Sequence, residues 1–307
     1  MTRVSSFGLN QTLLSDLQRN QQRVSDSQRQ INSGKKTAEF RGLSRDVETL
    51  LGAKALRTRN FSHLDTIAEV KGKLEFNDLH LTSISDQLEN LRLQVVSAIA
   101  SEETAGLAEE VQQTFDSVVN SLNSKVSGIF IFAGTRIDTQ PVSISSLAQL
   151  VAAPTTASIF QNAQTKPTAR VDESILMEFG QLASDIGQPV LDAVRDIAIF
   201  DAGPSGPLNG KLTAAQKTFL ESMLPKIDAA KQTLSGAITT NGIRQNRLEV
   251  IRDRVDSNVT FLSTFVSDIE DVDMAEAILN LRADQSALQA SFSALGSLFK
   301  VSLLDFL

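Results

Sequence analysis

The sequence lacks cysteine, tryptophan and tyrosine, so phenylalanine, with 16 residues, is its main aromatic side chain. Without cysteine the chain has no disulfide framework, no thiolate nucleophile and no thiol ligand for a metal. The scarcity of large aromatic side chains favours narrow helical interfaces filled by Leu, Val, Ile and Ala over a wide globular core.

Basic residues are not in excess. The chain has 29 Lys and Arg residues against 36 Asp and Glu residues, for a net charge of −7. Proteins that bind nucleic acid gather positive charge on one face, so we expect no nucleic-acid partner. No run reaches the roughly 18–20 apolar residues of a membrane span, so we expect no membrane partner. Residues 1–6 lack the apolar core of a signal peptide, which fits either a cytoplasmic protein or export without signal cleavage.

Residues that could form a catalytic or metal site are sparse. His63 and His80 are the only histidines, and neither has further ligands at zinc-site spacing. The acidic run of residues 268–273 lacks the glycine and terminal glutamate of a calcium loop, so we interpret it as a joint between helices. No nucleophile stands beside a general base. We therefore predict no enzymatic activity, no cofactor and no metal.

The N-terminal segment of residues 9–33 has a helical pattern with one thin apolar stripe. Its members are Leu13, Leu17, Val24 and Ile31. One such stripe does not offset backbone ordering, which costs about 1–2 kcal/mol per residue. We expect this segment to stay unfolded in an isolated chain and to fold when another helix covers the stripe. Gly34 marks the end of the helix.

Two long heptad patterns predict long helices. The first runs from about residue 44 to residue 100 and is followed by a shorter helix within residues 101–127. Its seam positions are Ile67, Val70, Leu74, Asn77, Leu81, Ile84, Leu88, Leu91, Val95 and Ala98. The second runs to Ile269 from a predicted N-cap at Thr213, and its apolar row is interrupted by Asn241. A lone polar residue in such a seam tends to fix the register of the helices.

The middle of the chain has a different character. Residues 128–134 are rich in β-formers between two glycines, and residues 135–144 predict a turn and a second strand. A short helix is predicted at about residues 187–200. We interpret residues 128–207 as a small inserted domain with short strands.

The C-terminal residues 274–307 carry two apolar rows that continue to the end of the sequence. Chain ends are normally polar and frayed, so this pattern predicts a partner for the last helix. We predict an assembly interface formed by both terminal helices. Its residues are Leu13, Leu17, Val24, Ile31, Met274, Ile278, Leu281, Leu288, Phe292, Leu295, Phe299, Leu303 and Phe306.

Together these patterns predict a mainly α protein. Both chain halves form a long antiparallel, coiled-coil-like helical bundle, with a small β-containing insert. The predicted domains are terminal helices (1–43 with 270–307), a helical rod (44–127 with 208–269) and the insert (128–207).

This plan, with the sequence Ile-Asn-Ser-Gly-Lys at residues 31–35, resembles the flagellin superfamily. Residues 128–141 resemble the G-x-Y-x-F-x-G-T-x-x-x-x-x-P strand entry of hook–filament junction proteins, the family of hook-associated protein 3. Residues 269–278 and the ending at 302–307 are also similar to the tail of that family. Residues 40–46 depart from the Asp-Asp-Pro or Asp-Asp-Ala-Ala-Gly-Leu stretch that these proteins commonly carry after the first helix.

The resemblance implies a structural subunit of the extracellular bacterial flagellum, exported unfolded by the type III apparatus and polymerising through its terminal helices. The implied partners are further copies in a ring, hook-associated protein 1, flagellin, and a cytoplasmic export chaperone on the C-terminal helix. A filament flagellin is the alternative within the superfamily. From another class, a cytoplasmic signalling coiled coil would explain the heptads and would form a stable parallel dimer.

Overall fold

The two segments with long heptad patterns are long helices in the computed structural model of the protein. The structure describes residues 2–37 and 47–304, with side chains described at residue 8 and at residues 11–37 and 47–297. Of the predicted interface, Phe306 and the side chains of Phe299 and Leu303 lie outside this range. So do residues 40–46, where the sequence departs from the family pattern.

Within the described residues the fold is mainly α, as predicted. The helices are α1 (Thr2–Ser33), α2 (Val47–Ser101), α3 (Leu107–Leu122), α4 (Leu147–Ala152), α5 (Ala183–Asp201), α6 (Ala214–Glu270) and α7 (Met274–Leu304). A 3-10 turn covers Thr156–Ile159. Two small antiparallel hairpins are formed by β1 (Lys125–Val126) with β2 (Ile129–Phe130) and by β3 (Thr168–Asp172) with β4 (Ile175–Glu178).

The chain divides into two compact units. The terminal unit comprises Met1–Arg59 with Ser257–Leu307, and the central unit comprises Asn60–Asp256. The helices α2 and α6 each have a segment in both units. The three-part division predicted from the sequence stays a prediction.

In the central unit α2 and α6 run antiparallel. Arg92 Nε bonds Asp228 Oδ1 at 2.6 Å, and Lys231 pairs with Glu89. As the residue number falls along α2, the partner's number rises along α6. The predicted antiparallel bundle built from both chain halves is therefore confirmed.

The seam residues of both long helices lie in a core shared with the middle of the chain. Leu88, Phe115, Phe132, Leu191 and Leu234 are each fully buried or nearly so in one hydrophobic cluster. They come from α2, α3, the loop after β2, α5 and α6. The segment 128–207 is thus packed into the helical core through its apolar side chains.

A second, smaller cluster lies beyond a polar layer. Asn241 is fully buried, and its Nδ2 donates to the Leu74 carbonyl oxygen at 2.9 Å. Asn77, 1% exposed, lies in the same layer of the seam. On the far side, Leu74 and Leu248 pack under the β3–β4 hairpin. The predicted polar interruption is a hydrogen-bonded contact between α6 and α2.

The β structure differs from the prediction in the middle of the chain. Of the second strand predicted within residues 135–144, the structure has only an isolated antiparallel bridge between Val142 and Phe160, and Asn123 bonds the Val142 backbone from the other side. Its Oδ1 accepts from Val142 N at 2.8 Å, and its Nδ2 donates to Val142 O at 3.1 Å. The chain also turns at Gly134, where φ is +65° and an added Cβ would lie 2.6 Å from Thr165 O. Short strands were predicted for the insert without bounds, and the structure has such a pair in the hairpin β3–β4.

The helix boundaries follow local signals. At the start of α6, Thr213 Oγ1 accepts from Gln216 N at 3.3 Å, and Gln216 Oε1 accepts from Thr213 N at 3.0 Å. This reciprocal pair is a capping box, so the predicted N-cap is confirmed. Pro225 lies inside α6, which remains continuous. The predicted helix over 187–200 begins earlier, at Ala183.

Candidate assembly interface

The two terminal helices pack against each other within one chain. Asn20 Nδ2 donates to Ser291 Oγ at 2.7 Å, and Ser27 Oγ donates to Asp284 Oδ2 at 2.9 Å. Between these two contacts the residue number rises by seven along α1 and falls by seven along α7. The pair is therefore antiparallel, with heptad spacing across its interface.

Seven of the predicted interface residues lose solvent exposure in this pair. Those that are half-buried are Leu13, Leu17, Val24, Ile31, Leu281 and Leu288, and the one that is buried is Leu295. On each helix they recur at intervals of four or seven, which places them on one face. The thin stripe of α1 is thus covered by α7 of the same chain.

Sequence reasoning missed the polar members of this interface. Asn20 and Ser27 are 8% and 7% exposed, less than the apolar residues beside them. Both follow Leu13 at heptad spacing, so the row could have been extended from that residue. Buried polar side chains need hydrogen-bond partners, and here α7 supplies one to each residue, while Arg23 of α1 also donates to Asn20 Oδ1.

Three further predicted residues of α7 are left exposed by α1. Met274, Ile278 and Phe292 are 43%, 41% and 51% exposed. Their spacing places them side by side along the helix, next to Leu281 and Leu288. We call Met274, Ile278 and Phe292 the outer row of α7.

The loop after α1 is hydrogen-bonded to the joint between α6 and α7. Val272 N donates to Gly34 O at 3.0 Å, and Lys36 N donates to Glu270 O at 2.7 Å. Gly34 has a φ of +69°, the left-handed conformation in which a helix commonly ends. These two bonds form a short antiparallel bridge that fixes the end of α1 beside the start of α7.

Ion pairs reinforce the same bridge. Lys35 Nζ lies 2.6 Å from Asp271 Oδ1 and 3.3 Å from Glu270 Oε2, and Lys54 of α2 also bonds Glu270. The hydrogen bond to Asp271 raises the pKa of Lys35. Conversely, hydrogen bonds from Lys35 and Ser267 lower the pKa of Asp271. Burial opposes ionisation of Glu270, but the bonds from Lys54 and Lys35 outweigh it and lower its pKa.

The acidic run therefore serves as the predicted helix joint. Beyond the bridge, Asp273 Oδ1 accepts from Ala275 N at 2.8 Å and from Glu276 N at 3.2 Å, which caps α7. Its neighbours Glu270 and Asp271 face lysines. Among the described residues, no group of three or more His, Asp or Glu side chains is placed to hold a metal ion. The helices in the same range are too short or too polar to span a bilayer.

Comparison with known proteins finds a match for the C-terminal part of the chain. Residues 224–307, which cover most of α6 and all of α7, match the C-terminal helical region of bacterial flagellin. The predicted resemblance to the flagellin superfamily is thus confirmed for the part of the chain that carries the outer row. No curated protein sequence matches the chain as a relative.

Over most of the chain the fold is similar to that of two solved flagellar proteins. A structure described as a flagellar hook-associated protein from Vibrio parahaemolyticus superposes with a TM-score of 0.61 at 21% identity, over 73% of this chain and 97% of that one. The FlgL protein of Bacillus cereus superposes with a TM-score of 0.55 at 15% identity, over 71% of this chain and 99% of that one.

Proposed function

We propose that this protein is a structural subunit of the bacterial flagellum that joins the hook to the filament and assembles through its terminal helices. The observation that carries the proposal is the outer row of α7. It is apolar, exposed in the single chain, and lies in the region that matches the C-terminal helices of flagellin. Exposed apolar stripes of this kind mark interaction surfaces.

The packing of the long helices argues against a signalling coiled coil. Leu74, Leu81 and Leu88 of α2 are fully buried within one chain, and their ion-paired neighbours come from α6 of that chain. A second chain is not needed to fill this seam. The terminal helix α7, by contrast, leaves apolar surface open where an axial subunit would need it.

The proposed arrangement follows the three predicted parts. The terminal helices of residues 1–43 and 270–307 would line the inner tube and order fully on assembly. The helices of 44–127 and 208–269 would form the wall of the tube, and the segment 128–207 would face outward. Every part is structural, so the proposal includes no enzymatic step.

The proposed partners follow from the position at the junction. Copies of the chain would form a ring, with hook-associated protein 1 on the hook side and flagellin on the filament side. Before export a cytoplasmic chaperone would cover the apolar face of α7. Export through the type III apparatus, without a cleaved signal peptide, would place the protein outside the cell.

Replacing Ile278 and Phe292 with serine tests the proposal. We expect the double variant to keep the helical content and unfolding midpoint of the parent, because both side chains are already exposed, yet to lose self-association measured by sedimentation. The matched control is Leu279→Ser, since Leu279 is 64% exposed and lies about 100° around α7 from Ile278. Normal association of the double variant would contradict the proposal.

A filament flagellin is the second candidate, because the matched region is that of flagellin itself. Abundance and deletion distinguish the two. A junction subunit is a trace component, and its deletion should release filament protein into the medium while hooks remain. A filament subunit would be the main protein of the sheared filament.

A further inference from the structure

We propose that the groove between α3, α4 and α5 binds an amphipathic helix of another protein, one whose apolar face is bordered by lysine or arginine. The groove lies in the central unit. The inference goes beyond the proposed junction function, because it concerns a second surface and a partner other than a copy of the chain.

The groove is an apolar cavity of about 370 Å³ that opens to solvent. Buried side chains from α3, α5 and the loop after α5 form its floor, namely Val111, Ile197 and Leu208. Half-buried or exposed side chains from α3 and α4 form its walls, chiefly Ala108, Ala148 and Val151. Its volume falls within the range of about 300–1,000 Å³ that is common for binding pockets.

The lining of the groove favours a helix over an extended peptide. Among the described residues that line it, Gln112 and Asp201 have polar side chains and the rest are apolar. Backbone N–H and C=O groups that become buried need hydrogen-bond partners, and a helix supplies these partners from its own backbone. The small side chains of Ala108, Ala148 and Ala202 let a helix approach closely. The expected occupant has large apolar side chains at intervals of three and four residues.

Carboxylates without ion-pair partners border the apolar lining. Asp201 lies on the α5 side of the groove, where its Oδ1 accepts from Leu208 N at 2.6 Å. Glu109 and Asp116 line a shallow depression on α3 that shares Gln112 with the groove. None of these three carboxylates makes an ion pair within the part of the chain that the structure describes.

The basic groups of the neighbouring elements are engaged elsewhere. Together α3, α4 and α5 contain seven acidic residues and one basic residue, Arg195. The Arg195 guanidinium donates to the carbonyl oxygens of Leu150 at 3.0 Å and Ala153 at 2.7 Å, at the end of α4. Lys226 of α6 pairs with Asp196 at 2.6 Å. The groove therefore combines an apolar lining with an acidic border, and that border attracts a partner with positive charge.

The same charges disfavour the other occupants of an apolar groove. Fatty acids and anionic lipids would meet like charge at the carboxylates. A second copy is also disfavoured, since residues 107–208 contain eleven Asp and Glu residues against five Lys and Arg residues, and the whole chain has a net charge of −7. The occupant that fits both the lining and the border is a basic amphipathic helix from a different protein.

Fluorescence titration of the full-length chain tests the groove. The probe is a synthetic helical peptide with leucines on one face, lysines along the borders of that face and a single tryptophan. Because the protein has neither tryptophan nor tyrosine, tryptophan emission reports the peptide alone. We expect the emission to move to shorter wavelength as protein is added, and a peptide with glutamate in place of each lysine to bind about ten-fold more weakly. Equal binding of the two peptides, or no binding of either, would overturn the proposal.

A blocked groove shows where the peptide binds. Ala148→Arg should weaken binding about ten-fold, because a long, positively charged side chain would occupy the groove. Ala152→Arg is the matched control, since Ala152 is exposed on the same short helix but does not line the groove. Equal affinities of the two variants would mean that the peptide binds elsewhere.

Neutral variants test the acidic border. Asp201→Asn and Glu109→Gln should each weaken binding of the lysine peptide about two- to five-fold, the scale of an exposed ion pair. Asparagine at position 201 can still accept from Leu208 N, so the loop after α5 keeps that bond. Asp138→Asn, at an exposed position outside the groove, should bind as the parent does. Unchanged affinity in the first two variants would refute the role of the border.

Two further results separate this proposal from self-assembly. If a copy of the chain occupied the groove, Ala148→Arg would weaken self-association in sedimentation while Ala152→Arg would not, and that result would overturn the proposed partner. The double variant Ile278→Ser with Phe292→Ser should bind the peptide like the parent, even where its self-association is lost. Loss of peptide binding in that double variant would place the peptide on the outer row of α7 and would overturn the groove.

Discussion

The two helix pairs of this protein use the same heptad spacing but differ in what fills their seams. In the central unit the pairing of α2 with α6 buries Leu74, Leu81 and Leu88 completely. In the terminal unit the pairing of α1 with α7 leaves Leu17 and Val24 half-buried. The two most buried seam residues of α1 are polar, Ser27 and Asn20.

The difference shows that heptad spacing decides which faces of the helices pack together. The residue types in the seam, and the other helices that bury it, decide how stable the pair is. The α2–α6 seam is covered further by α3 and α5, which share its hydrophobic cluster. The α1–α7 pair keeps an apolar row on its outside. The first arrangement suits a domain that is stable alone, and the second suits one completed by assembly.

The largest expected effect is a core truncation in the central unit. Phe115 of α3 is fully buried, so Phe115→Ala should lower the free energy of unfolding by about 3–5 kcal/mol. Urea unfolding followed by circular dichroism measures the loss. The control is Phe292→Ala in α7, where the side chain is half-exposed and the expected change is near zero. Equal losses for the two variants would remove the contrast between the two helix pairs.

Replacing a polar seam residue of the α1–α7 pair with an apolar one should raise the stability of that pair towards that of the α2–α6 pair. Asn20→Leu replaces a buried amide with an apolar side chain at a heptad position, and we expect it to stabilise the pair by ~1–2 kcal/mol. Ser291 keeps a partner after the change, because its hydroxyl also donates to Ala287 O at 2.9 Å.

Amide hydrogen exchange along α1 measures this stabilisation. Exchange should slow in Asn20→Leu and stay unchanged in Gln22→Leu, where the new side chain would be exposed. Unchanged protection in both variants would mean that the polar seam does not limit the stability of the pair.

The sequence predicts the α2–α6 core because its signals agree with one another. Heptad rows, the Thr213 cap and the lone Asn241 all appear in the structure where the pattern places them. The middle of the chain was predicted less well, because its fold depends on long-range side-chain bonds. Val142 bonds Asn123 and forms a single β-bridge with Phe160, and no local pattern predicts either contact.

The terminal interface was predicted as a set of apolar residues, and the structure separates that set into two rows. Leu281 and Leu288 face α1, whereas Ile278 and Phe292 remain exposed. Periodicity identifies the stripe on α7 but gives no measure of how much of its width a narrow partner such as α1 can cover. The lysine bridge was also missed, since Lys35 and Asp271 are distant in sequence and meet only through the fold.

A smaller effect is expected when the bridge between α1 and the joint loses a charge. Glu270→Gln removes the carboxylate that faces both Lys35 and Lys54. Amide exchange near the end of α1 should rise about two- to five-fold, the scale of ~0.5–1 kcal/mol for partly exposed ion pairs. Glu276→Gln is the control, because Glu276 is exposed in the first turn of α7. Equal exchange in both variants would assign no role to the bridge.

The smallest expected effect is an acid response of the same bridge. The pKa of Asp271 is lowered mainly by Lys35, and that of Glu270 is lowered by Lys54 and Lys35 against the opposing effect of burial. A carboxylate with a lowered pKa stabilises the fold above its ordinary pKa, about 4 for these groups, and the stabilisation is lost as pH falls through the lowered value. Protection at the end of α1 should therefore be constant from neutral pH to about pH 5 and decline below pH 4.

The response to acid should depend on Lys35. In Lys35→Met the main cause of the lowered Asp271 pKa is gone, so protection should begin lower and change less on acidification. High salt should narrow the difference between parent and variant, since the side chain of Lys35 is 45% exposed and open to screening. If parent and variant respond equally to acid, the loss of protection comes from carboxylates other than Asp271. The end of α1 would then be held mainly by its two backbone hydrogen bonds to the joint.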